Sequence, residues 1–105
     1  MMATPLRLST DRRDDGTVVL RAVGELDLSN IEIFSEALSG AVDEGAERNP
    51  VRVDLSAVDY LDSGAINVLF NHATAIDLVV NPILLPVLKI SGLTDVIAVE
   101  PAPGA

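Results

Sequence analysis

The chain has 105 residues, with 16 acidic against 7 basic side chains and a formal net charge of −9. That length suits one domain around a single core, with an expected radius of gyration of ~13 Å. The charge argues against nucleic acid and anionic membrane surfaces, which are held mainly by Lys and Arg on phosphates, and the absence of cysteine excludes disulfides, thiol catalysis and zinc–thiolate sites.

Residues 1–5 lack the apolar h-region of a signal peptide. Residues 6–10 and 17–23 flank a charged segment, 11–16, that ends in Asp15-Gly16, which predicts a β-hairpin. Gly24-Glu25-Leu26-Asp27-Leu28 then leads into Ser29-Asn30-Ile31-Glu32. That spacing is a capping box, with Ser29 bonding the N–H of Glu32 while Glu32 reaches back. The helix it opens has Ile33, Phe34, Ala37, Leu38, Ala41 and Val42 as its expected buried stripe and Gly45 as a left-handed stop. Residues 46–50 read as a surface loop.

The most informative stretch is 51–70. Val51, Val53 and Leu55 alternate with Arg52 and Asp54, as in a strand with one covered face, whereas Ile66, Leu69 and Phe70 recur at helical spacing. Between them Asp62 is the expected N-cap, accepting from the N–H of Gly64 or Ala65, and a hydroxyl or phosphate on Ser63 would meet the positive end of the helix dipole. Residues 76–80 predict another strand beside 51–55, returned by a helix from Ser63 to about Thr74 that is barely long enough for a parallel crossover. A last short helix over 87–91 is closed by Gly92 with Pro82 or Pro86 in its first turn. Residues 96–99 suit an edge strand and 101–105 a frayed tail. The richest apolar stretch, 78–90, is broken by Asn81, Pro82, Pro86 and Lys89 and falls short of the ~20 residues of a spanning helix. The expectation is one soluble, cytoplasmic α/β domain over 1–105, ordered from about 5 to 100, with an aliphatic core.

Catalytic chemistry has little to work with. There is no glycine-rich phosphate loop, no His/Glu metal spacing and no Gly-x-Ser-x-Gly elbow. His72 is a lone imidazole and receives no role. Ser63, without a second histidine or a nearby lysine, reads as a helix-start hydroxyl before it reads as a nucleophile. Asp27 and Asp62 share a setting, each at the end of a strand that runs into a helix. No catalytic residue, metal ligand or cofactor is assigned.

Three segments together resemble the signatures of STAS-domain anti-sigma-factor antagonists. They are Gly24-Glu25-Leu26-Asp27 after a Val-rich strand, the run from Val53 through Asp54-Leu55-Ser56 to Asp62-Ser63, and Ile90-Ser91-Gly92-Leu93-Thr94-Asp95. The resemblance covers most of the chain and implies a mixed β-sheet covered by α-helices. It also implies a domain that binds an anti-sigma factor, in that family often a serine kinase, and so frees a sigma factor for transcription until phosphorylation at the helix mouth reverses the binding. Asp27, Asp62, Ser63 and Gly64 fall at the implied partner-binding face.

Two departures qualify what is carried over. The family's usual acceptor is the second Ser or Thr of an Asp-Ser-Ser-Gly or Asp-Ser-Ala-Gly motif, and that position is Gly64 here, so phosphorylation moves to Ser63 or does not occur. The stretch from Asp62 to Asn81 is also shorter than the family's by more than a helical turn. The rival expectations are a STAS accessory domain of a lipid-transport or transporter system, which needs no phosphorylation switch, and a small serine hydrolase using Ser63.

Overall fold

The computed structural model describes residues 5–45 and 49–103. The expected hairpin is formed by β1 (Leu6–Arg12) and β2 (Val18–Leu26), antiparallel, with Leu6 opposite Gly24 and Arg12 opposite Val18. β1 continues through Asp11 and Arg12, so the connecting turn is tighter than the charge pattern suggests. Gly16 turns the chain at φ +89°, and its N–H donates to the Arg13 carbonyl at 2.9 Å. β3 (Val51–Leu61), β4 (Ile76–Val80) and β5 (Val99–Pro101) follow, each parallel to the strand before it. The result is a mixed five-stranded sheet in the order β1-β2-β3-β4-β5, in which β1 alone runs against its neighbour.

Three α-helices, α1 (Ile31–Gly45), α2 (Ser63–Asn71) and α3 (Leu85–Ile90), join these strands. α1 packs on β2 and β3, and α2 packs on β3. Val51, Val53 and Leu55 face the helices and are fully buried with Phe34, Leu38 and Leu69, which makes the core aliphatic apart from Phe34. The radius of gyration, 12.8 Å, is that of a single compact domain of this length. α2 is shorter than expected, yet the crossover closes. The turn after His72 spans the remaining distance, with the Ala75 N–H on the His72 carbonyl at 2.9 Å and the Val51 N–H on the Ala75 carbonyl at 2.9 Å. Both prolines have a place before Gly92. Pro82 opens a 3-10 turn, Pro82–Leu84, capped by the Asn81 side chain, and Pro86 sits in the first turn of α3. Gly92 takes the left-handed conformation, φ +84°, that ends the helix.

Four local expectations are corrected. Ile33 is 60% exposed, because the buried face of α1 runs through Phe34, Leu38 and Ala41. Gly45 is the last residue of α1 and not a left-handed stop, since its φ is not positive. Its small size serves packing, for a Cβ there would lie 3.1 Å from Val18 Cγ2 and 3.4 Å from Val51 Cγ2. The edge strand begins at Val99, three residues later than expected, and the tail is pinned where fraying was expected. Pro101 closes β5, and the Ala102 N–H bonds the Val80 carbonyl at 2.7 Å. Residues 1–4, most of the 46–50 loop (46–48) and the tail's last two, 104–105, lie outside the described residues.

The feature that positions the site is irregular pairing between β2 and β3. The register slips between Arg21 and Val23 and again between Gly24 and Glu25, each time with an extra residue on β3. Bulges of this kind bend a strand and re-aim its side chains. Burial along β3 accordingly changes from alternation at Val51, Val53 and Leu55 to every third residue at Val58 and Leu61. Gly24 makes the second slip possible. Its φ is +123°, and a Cβ there would collide with the Pro5 carbonyl oxygen, so an L side chain is excluded both by conformation and by space.

Candidate functional site

After the second bulge the two strands finish level, with Leu26 opposite Leu61. Asp27 and Asp62 are the next residues of two adjacent parallel strands, and the Asp62 N–H reaches across to the Leu26 carbonyl at 3.1 Å. The carboxyl ends of parallel strands are where an open α/β sheet offers its functional edge.

From that edge the two chains leave differently. Asp62, with φ −97° and ψ −178°, is the N-cap of α2, and its Oδ1 accepts from the Ala65 N–H at 3.0 Å. This is one of the bonds expected for it. Ser63 is the first helical residue and is exposed, so its hydroxyl stands at the helix mouth. Gly64 is half-buried. A Cβ on it would lie 3.3 Å from Asp62 Oδ1 and 4.0 Å from Leu28 Cδ2, which ties the β2–α1 turn to the mouth of α2.

Asp27 binds into a turn. Its Oδ1 accepts from the N–H of Ser29 at 2.9 Å and from the Ser29 hydroxyl at 2.6 Å, which folds residues 27–30 into a turn. The Ser29 hydroxyl therefore points back along the chain, and the boundary expected at Ser29 falls one residue later. The first helical bond runs from the Phe34 N–H to the Asn30 carbonyl at 3.2 Å, and α1 starts at Ile31. Asn30 is the residue that sequence reasoning missed. Only 3% exposed, it accepts from the Asp27 N–H at 3.1 Å and donates to the Glu25 carbonyl at 2.8 Å. It thus clamps the end of β2 to the start of α1. The available signal was an asparagine directly before the first apolar residue of the helix, a favoured N-cap type.

Leu28, at the tip of this turn, is 82% exposed. Together these residues form an anionic rim around an apolar tip, with a free-standing hydroxyl at a helix start. His72, the chain's one histidine, caps the far end of α2, with Nδ1 3.0 Å from the Val68 carbonyl and Nε2 3.4 Å from Ser39 Oγ. It gives Ser63 no base. Among the described residues no group of three or more His, Cys, Asp or Glu could hold a metal ion, and no helix is long and apolar enough to cross a membrane.

The fold is a small α/β module with a mixed five-stranded sheet and three helices. The family described as "Mlab, STAS domain" matches residues 9–97, and the chain belongs to that STAS-domain family. Among solved structures, an anti-sigma factor antagonist from Mycobacterium paratuberculosis superposes with a TM-score of 0.82 at 20% identity, covering 97% of this chain and 92% of that one. The anti-sigma factor antagonist SpoIIAA in its unphosphorylated form gives a TM-score of 0.71 at 21% identity over 91% of this chain and 88% of that one. The Bacillus cell fate determinant SpoIIAA in its phosphorylated form gives 0.61 at 22% identity, covering 91% of both chains. These superpositions establish a common fold. A comparison with curated protein sequences gives no match.

Proposed function

We propose that the chain is a non-enzymatic, cytoplasmic anti-sigma-factor antagonist whose partner docks on the sheet edge bearing Asp27, Asp62, Ser63 and Gly64. The observation that carries this reading is the pairing of Leu26 with Leu61, which brings two acidic strand ends and an exposed Ser63 to one edge of a STAS-family domain. The partner is an anti-sigma factor, and where that factor is a serine kinase Ser63 is the group it modifies. A phosphate at the first turn of α2 interacts favourably with the helix dipole by ~0.3–1 kcal/mol, so inhibition would come from charge at the interface and not from unfolding. Burying that charge unpaired, beside Asp62 and Asp27, would cost several kcal/mol of binding.

Titration calorimetry of the parent chain and Ser63→Glu against a purified anti-sigma factor from the same cell tests this. The parent should bind and Ser63→Glu should not, while the variant melts no lower than the parent. Equal affinities would remove Ser63 from the interface.

Gly64 favours a second reading, a STAS accessory domain of a lipid-transport or transporter complex that works without a phosphorylation switch. The Cβ distances at Gly64 leave room for a serine after a shift of a few tenths of an ångström at Asp62. Gly64→Ser should therefore fold and, if only the acceptor was lost, take up phosphate from the partner kinase. Failure to incorporate phosphate, together with co-purification of the parent with membrane-transport subunits, would favour the accessory-domain reading.

A further inference from the structure

The face of the sheet turned away from the helices carries a cavity of about 690 Å³ whose lining includes none of Asp27, Asp62, Ser63 and Gly64. Val79 of β4, Pro82 and Pro103 are among its lining residues, and the hairpin turn brings Arg13 to it. Its size lies within the ~300–1,000 Å³ of small-molecule sites.

The polar groups around it are unevenly used. The two carboxylates that line it, Asp54 and Glu100, find donors within the protein. Asp54 Oδ1 accepts from the Ser56 N–H at 2.9 Å and hydroxyl at 2.6 Å, Asp54 Oδ2 takes Arg21 Nε at 3.3 Å, and Glu100 Oε1 takes Arg52 Nη2 at 3.2 Å. Burial works to raise the pKa of Asp54, but the Ser56 bonds and Arg21 outweigh it and hold the carboxyl below its ordinary 3.8. Each of the two lining arginines keeps donors unused. Among the described residues the Arg13 guanidinium makes no hydrogen bond or ion pair, and Arg52 Nη1 is buried without an acceptor. Asp77 pairs across the strands with Arg52, but its Oδ1 is buried without a donor, and burial pushes its carboxyl up from 3.8, with Glu100 adding to the rise and the charges of Arg52 and Arg13 opposing it. A half-buried guanidinium short of acceptors carries a desolvation cost, which an anion beside it would offset.

We propose that this cavity binds a small organic oxyanion, with its phosphate or carboxylate head between Arg13 and Arg52 and its body over Val79 between Pro82 and Pro103. Both head groups match the planar donor fork of arginine. The site is separate from the partner-docking edge and stands or falls independently of it.

The test is amide-resolved NMR titration of the full chain with glycerol 3-phosphate, succinate and inorganic phosphate. At least one organic anion should give saturable shifts at Val79, Glu100 and Ala102 while the amides of Ser63 and Gly64 stay still. Arg13→Gln, a change at an exposed turn, should weaken binding by about tenfold or more without lowering the melting temperature. Saturation by glycerol 3-phosphate alone or by succinate alone identifies the preferred head group. No saturable response to any of the three, a response to inorganic phosphate only, shifts centred on the mouth of α2, or affinity unchanged in Arg13→Gln would each overturn the proposal.

Discussion

Two strand-to-helix junctions stand side by side in this protein, and they use the same residue type in different ways. At the end of β3, Asp62 passes directly into α2 and caps it through the Ala65 N–H. At the end of β2, Asp27 is separated from α1 by a turn. It binds Ser29, and the buried Asn30 holds the strand end and the helix start together. An aspartate at a strand end is therefore not a fixed instruction. The number of residues before the helix decides whether it caps the helix or the turn. The direct junction leaves an exposed serine at the helix mouth, and the indirect one leaves an exposed leucine beside it.

The largest effect on this pair of junctions should come from upstream of both. Gly24→Ala forces a residue with a Cβ into φ +123° and against the Pro5 carbonyl, which should cost about 3 kcal/mol or more. It should also disturb the register that sets Asp27 level with Asp62. Denaturant unfolding measures the cost, and amide shifts at both junctions report the slip. A loss below about 1 kcal/mol would mean that the second bulge does not depend on glycine.

Next in size is Asn30→Ala. It leaves the Glu25 carbonyl and the Asp27 N–H without their side-chain partner in a buried place, for an expected loss of about 2–3 kcal/mol. Asp62→Ala removes a single cap bond and should cost about 1 kcal/mol, with Asp62→Asn retaining most of the stability because its carbonyl oxygen can still accept. If Asp62→Ala proved more damaging than Asn30→Ala in the same melts, the contrast between a clamped and a simply capped junction would fail. Smallest is Ser29→Ala. Its hydroxyl bonds Asp27 at the surface, so about 0.5 kcal/mol is expected. A full cap-sized loss would restore Ser29 to the boundary of α1.

The direct junction was legible in the sequence because every signal there is local. Alternation in Val51, Val53 and Leu55, a capping aspartate and the helical spacing of Ile66 and Leu69 fall within about twenty residues and agree with one another. The indirect junction was misread because Ser29 and Glu32 satisfy a capping pattern that the fold does not use at Ser29. Asp27 competes for the serine hydroxyl, and the carbonyl that selects Asn30 comes from Glu25. The mixed sheet follows from hairpin chemistry and crossover length. The two bulges do not, since they answer to the close approach of Pro5 at Gly24 and to the fit of β2 against β3, contacts that no periodicity records. The family resemblance put Asp27, Asp62, Ser63 and Gly64 at one face, but the register that sets the ends of β2 and β3 level is written in no local pattern.

Binding of a purified anti-sigma factor to the parent chain and to Ser63→Glu, followed by calorimetry on the same samples whose melting temperatures are recorded, tests the central claim most directly. The account predicts saturable binding by the parent, loss of detectable binding in Ser63→Glu, and a variant that melts at or above the parent. Equal binding by the two chains would contradict it, and would remove Ser63 from the partner interface.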